Sequence, residues 1–260
     1  MDYNEKYIPR EYLALKINYC KRQLKELPEV KIYKHTVKGV VKKRVVIGNH
    51  KYDFESPKGV EYNQILIQRE ELKRELQIYE AIWDTNFKGE PPAECIPGAV
   101  KRFLTMGDGS QVLMNKEFFD NLKNDDNKKY EKFKSNFFNG IFYRSAAERD
   151  IAAFYTDMGI PFKYEPSIML LGLAKPINPD FILYIRELDS CKIHEHLGMK
   201  DSAEYLKITK IKYGNYTGAG LVPGTDIIFT HDLDDAPFDV RSLSANLNSA
   251  VYSTITWNGV

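Results

Sequence analysis

The sequence has few cysteines, no long apolar run and no phosphate-binding loop. Cys20, Cys95 and Cys191 are too far apart to form a CxxC pair or a zinc-binding spacing. No stretch approaches the roughly 18 apolar residues that a membrane helix needs, and the opening residues MDYNEKYIPREYLALK contain no apolar signal-peptide segment. Gly107-Asp108-Gly109 is a turn, since no Lys-Ser or Lys-Thr follows it. These absences predict a soluble protein of the reducing cytoplasm, with no membrane partner.

The overall charge also excludes little, because the net value is only +1. Its distribution is uneven, however. Residues 141–260 contain 11 Lys and Arg against 15 Asp and Glu, a net charge of −4. Subtracting these from the totals of 37 and 36 leaves 26 basic and 21 acidic residues in 1–140, a net charge of +5. We therefore expect a polyanion to dock on the N-terminal half and a metal site to lie in the C-terminal half.

The sequence of the N-terminal half predicts helices on both sides of a short β-rich stretch. Apolar spacing predicts helices over residues 9–27, 60–86 and 112–137, with a possible short helix at AVKRFL (99–104). The two longer helices, 60–86 and 112–137, fit either an intramolecular core or the seam of a homo-oligomer.

Between the first two helices, residues 30–53 predict a β-hairpin with many basic residues. Tyr33, His35 and Tyr52 are interleaved with seven basic residues and one acid. The basic residues are Lys31, Lys34, Lys38, Lys42, Lys43, Arg44 and Lys51. One interpretation is a surface for nucleic acid, with Lys42, Lys43, Arg44 and Lys51 as contacts. The other is an ordinary solvated sheet face with lysines on its edges.

The pattern changes after Asn139-Gly140. A helix is predicted over 143–157, followed by strands over 162–170, 178–188 and 192–198, a helix over 200–216 and a strand over 226–230. This order predicts an α/β (α+β) fold, with a mixed sheet flanked by helices. We divide the chain into a helical region with the hairpin (1–138), a mixed-sheet domain (139–235) and a C-terminal extension (236–260).

Four ionisable residues of the second region have positions that suggest a metal site. Asp180 follows Pro179 at the start of an apolar strand, and Glu195 lies on the strand paired with it. Neighbouring strands are about 4.8 Å apart, so the two carboxylates can converge on one Mg²⁺ or Mn²⁺ ion. Glu148 projects from the preceding helix and Lys212 from the following one. Such a site can hydrolyse phosphodiesters.

The motifs of this region together resemble the PD-(D/E)xK nuclease superfamily. The segment contains RSxxE, GIPFxYE, PDF, EHxGM and a helix with Tyr205, Lys212 and Tyr216, and is similar to a bacterial group with this pattern. The resemblance covers residues 143–231. It implies a restriction-endonuclease-like core and Mg²⁺-dependent cleavage of nucleic acid, most often DNA. It also implies that Asp180 and Glu195 bind the metal.

The chain departs from the superfamily pattern at one position. The motif places a lysine two residues after Glu195, where this sequence has Leu197. Lys212 is the substitute that we predict, as a lysine supplied from the following helix, and Glu148 is the third acid of the site. Arg144 and His196 are predicted to contact nucleic acid, although strand alternation sends His196 to the face opposite Glu195.

Several residues and two further functions stand beside this assignment. Glu165 could line the site but is not assigned to it, and His194, Tyr205 and Tyr216 are interpreted as packing or surface residues. Because of Leu197, the chain could be an inactive nuclease fold that only binds nucleic acid or a protein. Because of its long helices, it could also be an oligomerising adaptor.

Overall fold

The structure, a computed structural model, divides into two compact units, residues 13–94 and residues 1–12 with 95–260. The structure describes residues 6–37, 39–91, 97–198, 203–232, 239–253 and 255–257. The side chains of residues 97–99, 204, 205 and 255–257 are outside this description. Lys38 and Cys95, which the sequence singled out, lie outside it as well.

The first unit contains two helices and a three-stranded antiparallel sheet. Its elements are α1 (Arg10–Glu26), β1 (Val30–Val37), β2 (Val40–Ile47), β3 (His50–Asp53) and α2 (Pro57–Asn86). Gly39 and Gly48 turn the chain between strands with φ of 78° and 51°, values that suit glycine. The Ser56 hydroxyl caps α2 by accepting a hydrogen bond from Gly59 N at 3.1 Å. The two helices and the β-rich stretch are therefore confirmed, and the three strands lie on the β-rich runs VKIYKHTV, KKRVVIG and HKYDF of the sequence.

The second unit is built on a four-stranded mixed sheet. Its strands are β9 (Phe162–Tyr164), β10 (Phe181–Ile185), β11 (Ser190–Leu197) and β12 (Ile227–His231). Their order in the sheet is β12-β11-β10-β9. The first three pair antiparallel, whereas β12 runs parallel to β11. Every residue of β10 is buried. The predicted α/β class with a mixed sheet is confirmed.

Three longer helices of this unit precede the sheet, connect its last two strands and follow it in sequence. They are α4 (Ala146–Asp157), α5 (Ala203–Gly218) and α6 (Val240–Tyr252). The Ser145 hydroxyl caps α4 by accepting from Glu148 N at 3.1 Å, and Gly159 follows the helix with φ of 63°. Asn246 of α6 donates to Phe229 O of β12 at 3.3 Å. The segment predicted as an extension from residue 236 thus contains a helix belonging to the same unit as the sheet.

Residues 97–142 form short elements. These are β4 (Pro97–Ala99), β5 (Phe103–Thr105), β6 (Gln111–Leu113), α3 (Lys116–Asn121), a 3₁₀ turn (Lys134–Asn136), β7 (Phe137–Phe138) and β8 (Ile141–Phe142). Strand β4 pairs with β13 (Ile255–Trp257). The helix predicted over 112–137 is therefore wrong, and so is the short helix at AVKRFL. The stretch NDDN (124–127) explains part of the error, because Asn and Asp side chains compete for backbone hydrogen bonds and favour turns.

This irregular segment is bonded to the sheet that follows it in sequence. Asp125 N donates to Tyr164 O at 2.7 Å, and the Asn124 side chain accepts from Tyr164 N at 2.7 Å. Met106 forms an isolated bridge with Leu170. The compact unit accordingly includes residues from 95 onwards, whereas the sequence interpretation placed the boundary at 139.

The apolar core of this unit lies against one face of the sheet. It includes Ile182 and Ile193 from the central strands and Tyr216 from α5. Phe118 and Phe119 of α3 and Leu170 complete it. This packing fixes the ends of β10 and β11, where the predicted site residues lie. Within the described ranges, no helix is both long and apolar enough to cross a membrane.

Candidate functional site: a buried carboxylate cluster

Asp180 and Glu195 lie on neighbouring strands, as the sequence predicts. Phe181 of β10 pairs with His194 of β11, so the next step of the same register sets Asp180 opposite Glu195. Residues opposite each other in an antiparallel pair project from the same face of the sheet. Both side chains are nearly inaccessible, with 3% and 1% exposed. Buried acids on one face must be paired or carry chemistry, because burying a carboxylate alone is costly.

Asp180 is held by two donors. Its Oδ1 accepts from Arg144 Nη2 and its Oδ2 from the backbone N–H of His196, both at 2.8 Å. Burial acts to raise the pKa of Asp180, but the positive charges of Lys212 and Arg144 and the His196 hydrogen bond prevail and lower it. Asp180 therefore stays ionised at neutral pH.

Glu195 is held from α5. Lys212 Nζ donates to Glu195 Oε2 at 2.7 Å, and the hydroxyl of Tyr216 donates to Oε1. Lys212 and Tyr216 are one helical turn apart, so they approach Glu195 from the same side of the helix. Burial and the charge of Asp180 raise the pKa of Glu195 to about 7 despite both donors.

Lys212 thus reaches the carboxylates from the helix that follows the sheet. Burial opposes its charge, but the charges of Glu195 and Asp180 dominate and raise its pKa, so the ammonium stays protonated. Leu197, at the position where the superfamily pattern has a lysine, is half-buried at the end of β11. The structure therefore brings Lys212 to Glu195, and Leu197 contributes no charge there.

Glu148 enters the cluster from the first turn of α4. Its Oε1 accepts from Arg144 Nη2 at 3.0 Å, and its Oε2 accepts from the Tyr164 hydroxyl at 2.6 Å and from Arg144 N at 3.2 Å. Burial and the nearby charge of Asp180 raise the pKa of Glu148, with Arg144 acting in the opposite direction. All four residues predicted to be catalytic are thus brought together.

Glu165 is a fourth buried carboxylate that sequence reasoning left out. Its Oε1 lies 3.0 Å from Arg144 Nε and accepts from Asn127 Nδ2 at 2.9 Å, while its Oε2 lies 2.8 Å from Lys132 Nζ. Its backbone has φ of 42°, a left-handed conformation that is uncommon for glutamate. Glu165 follows Tyr164 in the motif GIPFxYE, which was the available signal. Asn127 and Lys132 lie in the wrongly predicted helix, and no sequence pattern indicated their contact with Glu165.

Arg144 is the common partner of these acids. Its guanidinium pairs with Glu148, Glu165 and Asp180 at 2.8–3.0 Å and lies 5.4 Å from the centre of the Tyr130 ring. Sequence reasoning assigned Arg144 to nucleic-acid contact. In this structure its charge is directed at carboxylates of the protein itself. The planar guanidinium group has five N–H donors, so it can bind several carboxylates at once.

The two histidines of β11 lie on the face opposite Glu195, as strand alternation predicts. The Tyr155 hydroxyl bonds His194 Nδ1 at 2.8 Å, and Thr230 Oγ1 bonds His194 Nε2 at 2.7 Å and His196 Nδ1 at 2.9 Å. His196 Nε2 lies 3.1 Å from Asp232 Oδ1. Burial lowers the pKa of His194 to about 3, so it is neutral. His196 contributes its backbone N–H to the site, whereas its predicted substrate contact stays a prediction.

The predicted basic residues of the other unit divide between two faces of its sheet. Lys42, Arg44 and Lys51 share one face, whereas Lys43 lies on the other, 5.6 Å above the Phe54 ring. The side chain of Tyr205, part of the α5 motif, lies outside the described residues.

The cluster holds several hard oxygen donors but no ready-made cage for a cation. Each oxygen of Asp180 and Glu195 already has a protein donor: Arg144, His196 N, Lys212 or Tyr216. Within the part of the chain that the structure describes, no three His, Cys, Asp or Glu side chains form a group suited to a metal ion. Protein cations thus neutralise the acids here.

Comparisons with family models, with curated proteins and with solved structures yield no match to this chain. The resemblance to PD-(D/E)xK nucleases accordingly rests on the sequence motifs alone.

Proposed function

We propose that this protein uses Mg²⁺ or Mn²⁺ to hydrolyse phosphodiester bonds in nucleic acid, with DNA as the preferred substrate. The observation that carries the proposal is the pairing of Asp180 and Glu195 on adjacent buried strands, with Glu148 and Lys212 directed to them from two helices. Clusters of buried groups with strongly perturbed pKa values concentrate at functional sites. The order of motifs along the chain supports a restriction-endonuclease-like core.

The donor chemistry fits a hard divalent cation. Mg²⁺ prefers carboxylate oxygens and water, and Asp180 and Glu195 offer four carboxylate oxygens between them. A cation on Asp180 Oδ1 would compete with the Arg144 guanidinium that bonds this atom at 2.8 Å. When bound, the cation would polarise the phosphodiester and activate water.

The chain's own residues would orient the reactants around this cation. Lys212 keeps its proton, so its ammonium can stabilise negative charge that develops on a phosphate. Tyr216 and Lys212 together fix both oxygens of Glu195. Glu148, whose pKa is raised, is placed to accept a proton from water or to complete the cation's ligands.

Features outside the cluster support the proposed substrate class and location. The exposed cations of β1–β3 favour a polyanionic substrate. Cys20 and Cys191 are buried, reduced thiols, a state that fits a reducing cytoplasm.

The test is cleavage of plasmid DNA by the purified full chain with Mg²⁺, with Mn²⁺ or with EDTA. We expect cation-dependent cleavage that Asp180→Asn and Glu195→Gln each reduce by about 10³-fold or more. Glu187→Gln is the matched control, because Glu187 is a buried carboxylate of the β10–β11 turn, 3.3 Å from Arg186. Equal residual activity in wild type and in Asp180→Asn would reject the proposal.

A binding module without chemistry is the second candidate. The observation that favours it is the complete pairing of Asp180 and Glu195 by protein donors, together with Leu197 in place of the pattern's lysine. Nucleic-acid binding that is unchanged by EDTA and by Glu195→Gln, without cleavage by wild type, would select it. The oligomerising adaptor has less support, because one of its two long helices, 112–137, does not form.

A further inference from the structure

The outer face of the β1–β3 sheet combines cations and aromatic rings. In the antiparallel register, Tyr33 lies opposite Arg44, His35 opposite Lys42, and Val46 opposite both Lys31 and Lys51. Residues paired in this way share a face. The functional side chains of this outer face are Lys31, Tyr33, His35, Lys42, Arg44 and Lys51.

Contacts between the side chains agree with this assignment. The rings of Tyr33 and His35 stack with centroids 6.0 Å apart and planes at 16°. Lys51 Nζ lies 5.6 Å from the centre of the Tyr33 ring. Tyr33 is 55% exposed, so much of its ring remains free to meet a ligand.

The inner face of the sheet differs in kind. Val30 and Val45 are buried there, and Tyr52 packs on Tyr62 of α2 with ring centroids 5.3 Å apart. On the outer face, by contrast, Tyr33 and the lysines around it, Lys31, Lys42 and Lys51, are exposed.

The outer face is electropositive. Lys31, Lys42, Arg44 and Lys51 supply four cations, and the one carboxylate of residues 30–53, Asp53, pairs with Arg44 at 3.2 Å. A net of three positive charges on one sheet face is complementary to a polyanion.

We propose that this outer face binds single-stranded nucleic acid, with its bases stacked on Tyr33 and its phosphates on the surrounding lysines. Exposed aromatic rings among cations suit unpaired bases, because every base offers a flat face once it leaves a duplex. In a duplex the base faces are covered by their neighbours, so Tyr33 would gain nothing from stacking. The stacked pair Tyr33–His35 extends the platform along β1.

This inference does not depend on the proposed hydrolysis. The outer face belongs to the unit of residues 13–94, and the carboxylate cluster belongs to the other. Binding can be measured in EDTA, where a nuclease that depends on divalent cations is inactive. Failure of either proposal is therefore recognised separately.

The experiment measures fluorescence anisotropy of a labelled oligothymidylate of about 20 nucleotides with the full chain in EDTA, over a series of salt concentrations. The double variant Lys42→Ala/Lys51→Ala removes two outer-face charges. The double variant Lys34→Ala/Lys43→Ala removes two exposed charges from the inner face and is the matched control. Thermal unfolding of each variant checks that the sheet is intact.

We expect the outer-face double variant to reduce the slope of log affinity against log salt by about 1.4, since each phosphate contact on a single strand contributes about 0.7. The inner-face variant should leave the slope unchanged. Equal losses in both variants would overturn the assignment of the face.

Stacking is tested at Tyr33. Tyr33→Leu should weaken binding about 5- to 100-fold, and Tyr33→Phe, which keeps the ring, should restore it. Unchanged binding by Tyr33→Leu would overturn the stacking. Tighter binding of the matching duplex, or equal competition by polyglutamate, would overturn the choice of single-stranded nucleic acid.

Discussion

The two compact units use charge in opposite ways. The unit with the mixed sheet buries a cluster of four carboxylates, Glu148, Glu165, Asp180 and Glu195, among cations of the same unit. In the unit of residues 13–94, one sheet face instead presents Lys31, Lys42, Arg44 and Lys51, and the one acid of residues 30–53 is Asp53. Buried opposite charges fix side chains in place at a cost in stability. Exposed charges of one sign stay hydrated, so they cost little free energy of folding and leave a surface open to a partner.

Two arginines provide the largest test of this contrast. Arg144→Met should destabilise the protein by about 3–5 kcal/mol, because it leaves buried carboxylates without their cation. Arg44→Met removes an exposed ion pair with Asp53 and should change stability by less than about 1 kcal/mol. Urea denaturation measures both free energies of unfolding. Similar losses in the two variants would show that burial does not separate the units.

Two lysines of α5 test the role of the cluster in chemistry. Lys212→Met should lower the rate of cleavage about 100-fold, because the ammonium beside Glu195 is lost. Lys210→Met is the control: Lys210 is exposed on the same helix and should retain the wild-type rate. Initial rates of plasmid cleavage with Mg²⁺ measure the effect. If both variants cleave alike, Lys212 has no part in the reaction.

A lysine at position 197 provides a smaller and sharper test. Leu197 follows Glu195 by two residues on the same strand, so it projects from the same face. Adding Leu197→Lys to Lys212→Met should recover about 10-fold of the lost rate by supplying a charge from the strand. The measurement is the cleavage rate of the double variant against Lys212→Met alone. No recovery would mean that a charge at this strand end cannot replace Lys212.

Much of the second unit was predictable from local patterns. The alternation and turns around Asp189 indicated the pairing of the two central strands, and that pairing fixes Asp180 against Glu195. The prediction that Lys212 takes the place of the lysine missing at Leu197 came from the resemblance, and the contact of Lys212 with Glu195 agrees with it.

The rest depended on contacts distant in sequence. Residues 112–137 have the composition of a polar helix, but Asp125 and its neighbours bond to Tyr164 instead. The role of Arg144 could not be read from its position, because its three partners come from different parts of the chain. Glu165 was not assigned to the site, because its partners Asn127, Lys132 and Arg144 are distant from it in sequence.

A crystal of the full chain soaked with Mn²⁺ and measured for anomalous scattering tests whether Asp180 and Glu195 bind a metal ion. We predict one ion between Asp180 and Glu195, at roughly 2.0–2.3 Å from a carboxylate oxygen of each, the range for small hard divalent cations. We also predict that the Arg144 guanidinium leaves Asp180 Oδ1. Arg144 still bonded to Asp180, with no ion between the two carboxylates at saturating Mn²⁺, would contradict both predictions.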